Sequence, residues 1–338
     1  MEPGTQAWLD QVVEEPHDST REIVDPHHHL WPPDGPLAYG IDDLVVDTRS
    51  GHNIVETVFI ECSAAQRTDG PEHLRPVGET EFVAAAADDL AARYPAAPSI
   101  GGIVAHADLA HGQLDETLDA HREASGGRFR GIRDSLAHAL EPDAHMIPGR
   151  YGEGKSEQPA FRRGVIRLGE RGLTYDCWLF HHQIGEFAAL ARATPGTTMV
   201  FDHFGTPVGV GRFEGRHDET FEQWKADVAT VAACPNTVAK LGGLAMPDNG
   251  FGFHTAPRPP TSDELLSAQR RWYEYAIECF GPERCMFESN FPVDRFSLSY
   301  TVYWNAMQKL AEQYSDAEQD AMFAATARRV YRLDADAD

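Results

Sequence analysis

The sequence predicts an α/β protein that folds as one closed (β/α)8 barrel of the TIM type. Eight short apolar runs alternate with amphipathic stretches along most of the 338 residues, and neither an internal repeat nor a Ser/Gly-rich linker interrupts them. An open doubly wound sheet is the alternative, but its first strand is normally followed by a glycine-rich turn. Here the first strand runs directly into three consecutive histidines, residues 27–29. The barrel is therefore the preferred prediction.

The elements follow one another in the order that a barrel requires. The predicted strands span residues 23–25, 57–61, 100–105, 130–133, 174–180, 198–203, 237–241 and 285–290. The amphipathic stretches that predict helices include residues 79–93, 114–124, 182–193 and 221–233. Two later helices begin at capping boxes, Thr261 with Glu264 and Ser315 with Glu318. We expect a single barrel domain over residues 23–338, preceded by an acidic arm, residues 1–22.

Two segments are too long and too rich in Gly and Pro to be simple turns. They are residues 137–159 and residues 247–260. Because the loops that follow the strands of a barrel build its site, both are candidates for a lid or a pocket wall. The alternative is that they are only mobile connections, and the composition does not decide between the two.

Charge and composition exclude several classes of partner. The chain has 29 Lys and Arg residues against 53 Asp and Glu residues, a net charge of −24, so we expect no nucleic-acid and no membrane-surface binding. The N-terminus lacks the pattern of a signal peptide, and no run reaches the roughly 18 apolar residues of a spanning helix. The five cysteines form no CxxC pair, which predicts reduced thiols and a cytoplasmic location.

The first strand ends in the strongest local pattern, Asp25-Pro26-His27-His28-His29. Residues two apart in a strand point to the same side, so His27 and His29 should face the barrel axis together, away from His28. Neutral imidazole nitrogen is a good ligand for divalent metals. The spacing therefore predicts a pair of imidazoles that suits a metal ion.

Two other predicted strands end in similar polar residues. The sixth leads into Asp202-His203, and the last leads into Glu288-Ser289-Asn290. Each motif alone is a weak signal. In a barrel, however, the carboxyl ends of the strands lie at one mouth, where barrel enzymes carry out catalysis. The first, sixth and last strands together therefore predict a site.

These motifs resemble those of the amidohydrolase superfamily. The resemblance is carried by the His-x-His pattern after the first strand, the sequence DHFG at 202–205, Lys240 in the sequence VAKLGGL, and the sequence SNFP at 289–292. It extends from residue 23 to about residue 333, and it is closest to the amidohydrolase-2 branch, which holds sugar lactonases and dicarboxylate lactonases. The motifs are specific for the superfamily but not for a substrate.

The resemblance implies roles for individual residues. His27, His29 and His203 would bind one divalent metal ion, with zinc as the first candidate, or would polarise the substrate carbonyl directly. The family pattern has an aspartate, acting as ligand and general base, where this chain has Asn290. A neutral amide cannot accept a proton from water at pH 7 and is a poor ligand for a hard cation. Whether the metal is bound therefore stays open.

A different carboxylate must then act as the general base. Glu288 lies two residues before Asn290 and would share its face one layer deeper, and Glu61 ends the second strand at the right height. An apolar setting would raise the pKa of either carboxyl group, which suits general-base catalysis. Glu288 is equally well explained as a buried partner of Arg or Lys, and Asp294 is an alternative on a loop. We hypothesise that Glu61 or Glu288 replaces the missing aspartate.

Cationic and aromatic residues near the strand ends are candidates for substrate binding. Arg130 and Arg133 are three apart on the fourth strand and point to opposite sides, and Arg133 lies nearer the carboxyl end. A guanidinium group suits bidentate binding of a carboxylate, and Lys240 is a second candidate cation. Trp178 and His181, after the fifth strand, are candidates for the lining of a ring-binding pocket.

The sequence thus predicts a hydrolase that opens a lactone, or a related cyclic ester, of a carboxylated small molecule. A metal-dependent decarboxylase of an aromatic acid is the second interpretation, although it requires an aspartate where Asn290 stands. The third is a barrel that binds a ligand without catalysis. The expected partner is an anionic small molecule, and whether the chain forms a homo-oligomer stays open.

Overall fold

The predicted barrel is the observed architecture. The computed structural model describes residues 2–149 and 151–334, and its centre is one sheet of eight parallel strands in chain order. The strands are β1 (Glu22–His28), β2 (Asn53–Ile60), β3 (Ser99–Ala105), β4 (Phe129–Arg133), β5 (Thr174–Cys177), β6 (Met199–Phe201), β7 (Thr237–Leu241) and β8 (Cys285–Phe287). Each strand pairs in parallel with the next, from β1 through β8.

The barrel closes between β8 and β1 through residues at the ends of these strands. Asn290 donates its backbone N–H to the carbonyl of His27 over 3.0 Å, and His29 donates to the carbonyl of Phe291 over 2.8 Å. The register of β1 shifts around Pro26, a residue that has no N–H to donate to a ladder. The closure therefore places the first-strand histidines beside the end of β8.

Helices surround the sheet and bury its outer face. They are α1 (Gln6–Leu9), α2 (Ile41–Thr48), α3 (Val77–Arg93), α4 (Leu114–Ala124), α5 (Pro159–Glu170), α6 (Ile184–Ala193), α7 (His217–Ala232), α8 (Ser262–Phe280), α9 (Tyr300–Ala311), α10 (Asp316–Asp320) and α11 (Thr326–Tyr331). A π-helical turn, Ala321–Ala325, joins α10 to α11. Within 2–149 and 151–334, no helix has the length and apolar content needed to cross a membrane.

The last helix closes the amino-terminal end of the barrel. Arg328 of α11 forms an ion pair of 3.1 Å with Glu22, the first residue of β1. Inside the sheet, α11 packs against one valine from each of five strands, Val24, Val58, Val104, Val200 and Val238. Tyr331 reaches beyond this apolar layer, and its hydroxyl donates to Asp176 Oδ2 over 2.5 Å. The helix α11 thus contacts the polar layer near the opposite mouth.

Several strands differ in length from the prediction. β5, β6 and β8 end earlier than predicted, and β1 continues to His28. After β6 the chain enters a tight turn in which His203 and Phe204 have φ values of +53° and +59°. The apolar pattern of residues 198–203 did not reveal this turn, because side-chain alternation carries no information about a left-handed backbone.

The N-terminal arm and the two long loops have defined contacts. Trp8 of the arm is fully buried and donates from Nε1 to the carbonyl of Ala256 over 3.3 Å. The two loops are joined by Asp248, whose carboxylate accepts the backbone N–H groups of Met146 and Ile147 over 2.7 and 3.0 Å. The second loop therefore supports the first.

Candidate active site

A cavity of about 380 Å³ opens at the mouth of the barrel, where the strands end. Every strand contributes a lining residue at or just beyond its carboxyl end: His29, Glu61, His106, Arg133, Trp178, His203, Met246 and Asn290. The first long loop adds residues 146–149 and Tyr151. We call these loop residues, together with the turn at 61–65, the wall of the cavity.

Behind the cavity lies a cluster of buried ionisable side chains, which we call the floor. It consists of His27, Asp176, Asp202, Lys240 and Glu288, and none of them is exposed to solvent. The carboxyl group of Glu288 lies between two imidazoles, with Oε2 2.7 Å from His27 Nδ1 and Oε1 2.7 Å from His203 Nδ1. One carboxyl group from β8 therefore orients a ring from β1 and a ring from β6.

The structure brings the three histidines of the sequence analysis together. The ring centroids of His27 and His29 are 4.9 Å apart, and those of His27 and His203 are 4.4 Å apart. Nδ1 of His29 lies 2.8 Å from the carbonyl oxygen of Ile60, which only accepts, so this nitrogen carries the hydrogen. Nε2 of the neutral His29 ring is then an acceptor. His28 faces elsewhere, with Nε2 3.0 Å from Thr57 Oγ1.

Two glycines after β7 make room for this arrangement. A Cβ atom at Gly243, where φ is +67°, would lie 2.4 Å from His203 Nδ1. A Cβ atom at Gly242 would lie 2.5 Å from the Cγ atom of Glu288. Both distances are shorter than non-bonded contacts allow, so the Gly-Gly pair that follows Lys240-Leu241 is required by the packing of the imidazole cluster.

Burial decides the charge of the cluster. It lowers the pKa of His203 to about 3 and holds the pKa of His27 well below its usual range. It also raises the pKa of Glu288 to about 8. The imidazoles are therefore neutral at pH 7, which is the form that accepts hydrogen bonds or binds a metal ion.

Lys240 lies in the floor and is not among the described residues that line the cavity. Its Nζ atom is 2.9 Å from Asp176 Oδ2, 3.5 Å from Asp202 Oδ1 and 3.4 Å from His27 Nδ1. Burial opposes the charge on Lys240, but Asp202 and Asp176 outweigh it and raise the pKa of the amine. The lysine is therefore a buried cation held between two carboxylates, and its predicted role in substrate binding stays a prediction.

Arg133 lies at the cavity, whereas Arg130 binds the carbonyl of Gly127 over 2.7 Å. Arg133 donates from Nε to Glu61 Oε1 over 2.8 Å, and its Nη2 group contacts the backbone carbonyl of Glu61. Its Nη1 atom lies 3.4 Å from His27 Nε2. Because a guanidinium has five N–H groups, Arg133 can hold Glu61 and still donate to a ligand.

Asn290 is held by a second carboxyl group. Its Nδ2 atom donates to Asp294 Oδ1 over 2.9 Å, and the backbone at Asn290 has a φ of +55°. Burial raises the pKa of Asp294 to about 8. Asn290 Oδ1 is buried and has no hydrogen-bond partner among the described residues. Asp294 thus fixes the amide nitrogen and leaves the amide oxygen as an unsatisfied acceptor.

The donor set fits a divalent ion. Within 2–149 and 151–334, one metal-ligating group is found, in which His27, His203 and Glu288 offer ligand atoms that all lie within 4.8 Å of one another. Imidazole nitrogen and carboxylate oxygen are ligands that zinc accepts. Asn290, whose backbone binds that of His27, adds a buried acceptor that a cation would satisfy. These residues form a possible metal site.

The remaining predicted residues lie in different places. Trp178 lines the cavity and donates from Nε1 to Thr206 Oγ1 over 3.0 Å. His181 is buried outside the lining, where its Nδ1 atom accepts the backbone N–H of Val208 over 3.0 Å. Sequence reasoning missed His106, which lines the cavity and whose Nδ1 atom lies 3.0 Å from the carbonyl oxygen of Arg133. Its position directly after β3 was the available signal.

Comparison with known proteins assigns the family. The family model described as Amidohydrolase matches residues 24–333. The uncharacterized protein y4mH of Sinorhizobium fredii is 31% identical, over 92% of this chain and 98% of its own length. The L-fucono-1,5-lactonase of Burkholderia multivorans is 30% identical, over 71% of this chain and 74% of its own length.

Solved structures agree with this assignment. An amidohydrolase from Burkholderia multivorans, crystallised with bound HEPES, is 25% identical with a TM-score of 0.68, and the match covers 92% of this chain and 99% of that one. A second crystal form of that protein contains bound zinc and has a TM-score of 0.67, at the same identity and coverage. Both the family model and the relatives cover most of the described barrel. The chain is therefore a member of the amidohydrolase family.

Proposed function

We propose that the protein hydrolyses a lactone, or a related cyclic ester, of a carboxylated small molecule. The observation that supports this proposal is the lining of the cavity, which includes both the carboxylate of Glu61 and the imidazole of His203. Ester hydrolysis requires a base for the attacking water and a group that polarises the carbonyl. Similarity to a relative named as an L-fucono-1,5-lactonase supports the ester class.

Glu61 is the better candidate for the general base. Glu61 lines the cavity, whereas Glu288 lies behind it, between His27 and His203. Arg133 orients the Glu61 carboxylate through the bond from Nε to Oε1. Glu61 would take a proton from water as the water oxygen bonds to the carbonyl carbon. When the ring C–O bond breaks, the same proton passes to the departing alkoxide, and a hydroxy acid is formed.

The imidazoles and Arg133 would act on the other side of the reacting bond. A divalent ion, held by His27, His203 and Glu288 with the amide oxygen of Asn290 nearby, would supply Lewis-acid polarisation of the carbonyl when bound. Without an ion, Glu288 orients both rings from behind, and the nearby charge of Lys240 opposes the rise that burial causes in the pKa of Glu288. Among the described residues that line the cavity, Arg133 is the one Arg or Lys side chain. Its remaining N–H groups can bind a carboxylate of the substrate.

A substrate panel with matched variants tests this proposal. Lactones with and without a carboxylate, and substituted benzoic acids, are incubated with the protein before and after chelation, and elemental analysis measures bound metal. We expect ring opening, and we expect Glu61→Gln to lower kcat by about a hundredfold or more because the base is removed. Glu81→Gln is the control, because Glu81 is an exposed partner of Arg67.

The other outcomes distinguish the alternatives. Release of carbon dioxide from the benzoic acids would show a decarboxylase, and binding without turnover of any compound would show a non-catalytic barrel. Ring opening that survives chelation would show that the histidines polarise the carbonyl without an ion. Full turnover by Glu61→Gln would remove Glu61 as the base.

A further inference from the structure

We propose that Glu79, on α3 behind the cavity, is a positioning residue that holds the 61–65 turn and thereby sets the place of Glu61. As far as it concerns hydrolysis, this inference rests on the proposed function. Glu79 is 1% exposed and lies outside the floor and the cavity lining. It is the acidic residue in the first turn of α3, which begins at Val77.

One oxygen of Glu79 holds the turn at two points. Glu79 Oε1 accepts the backbone N–H of Cys62 over 2.9 Å and that of Ala64 over 2.7 Å. A buried backbone N–H group that loses its acceptor has no water to replace it, so loss of these two bonds would release the turn from α3. The other oxygen, Oε2, is buried and has no hydrogen-bond partner among the described residues. Both hydrogen bonds from Glu79 to the turn are therefore accepted by the same oxygen, Oε1.

The turn needs such support because its backbone is strained. Ser63 and Ala65 have φ values of +63° and +47°, a region that residues with a Cβ atom rarely adopt. Such a conformation is unfavourable and persists only where the surroundings fix the backbone. α3 is also packed closely on the turn, since a Cβ atom at Gly78 would lie 2.7 Å from the carbonyl oxygen of Ala65.

Movement of the turn would displace the groups that the reaction needs. Glu61 is its first residue, and Cys62 and Ser63 also line the cavity. Arg133 binds both the side chain and the backbone carbonyl of Glu61. On the other side, the backbone N–H of Glu61 donates to Val104 of β3 over 2.9 Å, which fixes one end of the turn to the sheet. Glu79 fixes the remainder of the turn.

Three variants and two measurements test this role. Glu79→Ala removes both hydrogen bonds, Glu79→Gln keeps an oxygen that can accept both, and Asp88→Asn is the control, because Asp88 lies on α3 as an exposed partner of Arg128. Hydrogen–deuterium exchange of the peptide that contains residues 61–65 reports on the turn without any substrate. Steady-state hydrolysis of a cyclic ester reports on Glu61, and thermal unfolding confirms that each variant folds.

We expect Glu79→Ala to exchange faster in this peptide and to lose about a hundredfold in kcat with a smaller change in KM, because the base is misplaced rather than the substrate lost. We expect Glu79→Gln to resemble the wild type in both measurements. Unchanged exchange in Glu79→Ala, or faster exchange with unchanged kcat, would overturn the inference. If the wild type hydrolyses no cyclic ester, the proposed function fails, and the exchange data alone decide whether Glu79 holds the turn.

Discussion

The floor and the wall of the cavity are built on different principles. In the floor, every side chain comes from the end of a strand, and the groups hold one another: Glu288 lies 2.7 Å from two imidazoles, and Lys240 lies between Asp176 and Asp202. In the wall, carboxylates outside the cavity hold the backbone. Glu79 accepts two N–H groups of the 61–65 turn, and Asp248 accepts those of Met146 and Ile147.

This difference suggests that the floor mainly determines the stability of the fold, whereas the wall mainly determines substrate binding and turnover. In the floor, no water can replace the partner of a buried charge. Removal of one member of a buried ion pair should therefore destabilise the fold. A wall segment at the surface can shift without unfolding the barrel, so loss of its support should change substrate binding or turnover first. Substitutions that affect one property and not the other can separate the two regions.

The largest effect is expected from the buried cation of the floor. Lys240→Met removes the positive charge that lies between Asp176 and Asp202 and leaves two buried carboxylates without it. We expect the free energy of unfolding to fall by about 3–5 kcal/mol, measured by urea denaturation. Lys225→Met is the control, because Lys225 pairs with exposed Glu222. Equal free energies of unfolding for the two variants would show that the Lys240 cation does not stabilise the floor.

The next effect concerns catalysis at the border of floor and cavity. His203→Asn removes the imidazole that lines the cavity and contacts Glu288. We expect kcat for a cyclic ester to fall about a hundred- to a thousandfold, the loss typical of one polarising group. His17→Asn, at an exposed pair with Glu312, should have no effect. A change in KM alone would show that His203 binds the substrate without polarising it.

A buried histidine of α4, His121, is expected to limit stability in acid; its Nε2 atom lies 2.9 Å from the carbonyl oxygen of His106. Burial lowers the pKa of His121 to about 4, so the folded protein keeps it neutral while the unfolded chain, near pH 6.5, takes up a proton. Its contribution is complete above pH 6.5 and is lost as the pH falls towards 4, by up to about 3 kcal/mol. Urea unfolding between pH 7 and pH 4 should show a flatter slope for His121→Gln. Parallel slopes would show that other groups dominate.

The smallest effect is expected at the support of the first long loop. Asp248→Ala removes the acceptor for Met146 and Ile147, both of which line the cavity. We expect KM to rise about tenfold, equivalent to about 1.4 kcal/mol, with kcat and the melting temperature nearly unchanged. Asp143→Asn, an exposed change on the same loop, should leave KM as it is. A fall in melting temperature as large as that of Lys240→Met would erase the distinction between wall and floor.

The fold and several polar residues at the strand ends were accessible from the sequence for a common reason. Apolar strands and amphipathic helices leave periodic patterns, and the end of each strand is a position that a barrel brings to one place. The sequence therefore placed His29, His203, Glu61 and Arg133 at the mouth of the barrel, where they line the cavity, and His27 lies buried beside them. His106 was missed although it also follows a strand, because a single histidine after Ala105 carried no motif.

The supports of the wall could not be predicted in the same way. Glu79 in α3 and Asp248 in a loop are ordinary acidic residues in sequence, and their importance arises from backbone N–H groups that only the folded chain presents. Likewise, Asn290 was visible as a departure from the expected aspartate, but its amide nitrogen is directed by Asp294, four residues later on a turn. Left-handed backbone at Ser63 and Asn290 leaves no trace in hydropathy.

The placement of α11 links the two ends of the barrel. Residues of α11 fill part of the barrel interior, and the hydroxyl of Tyr331 donates to Asp176, the carboxylate that also accepts from Lys240. A single hydrogen bond therefore connects a helix at the amino-terminal end of the barrel to the ionisable cluster behind the cavity. An alteration of this helix, remote from the cavity, is expected to be felt by the groups that surround the buried lysine.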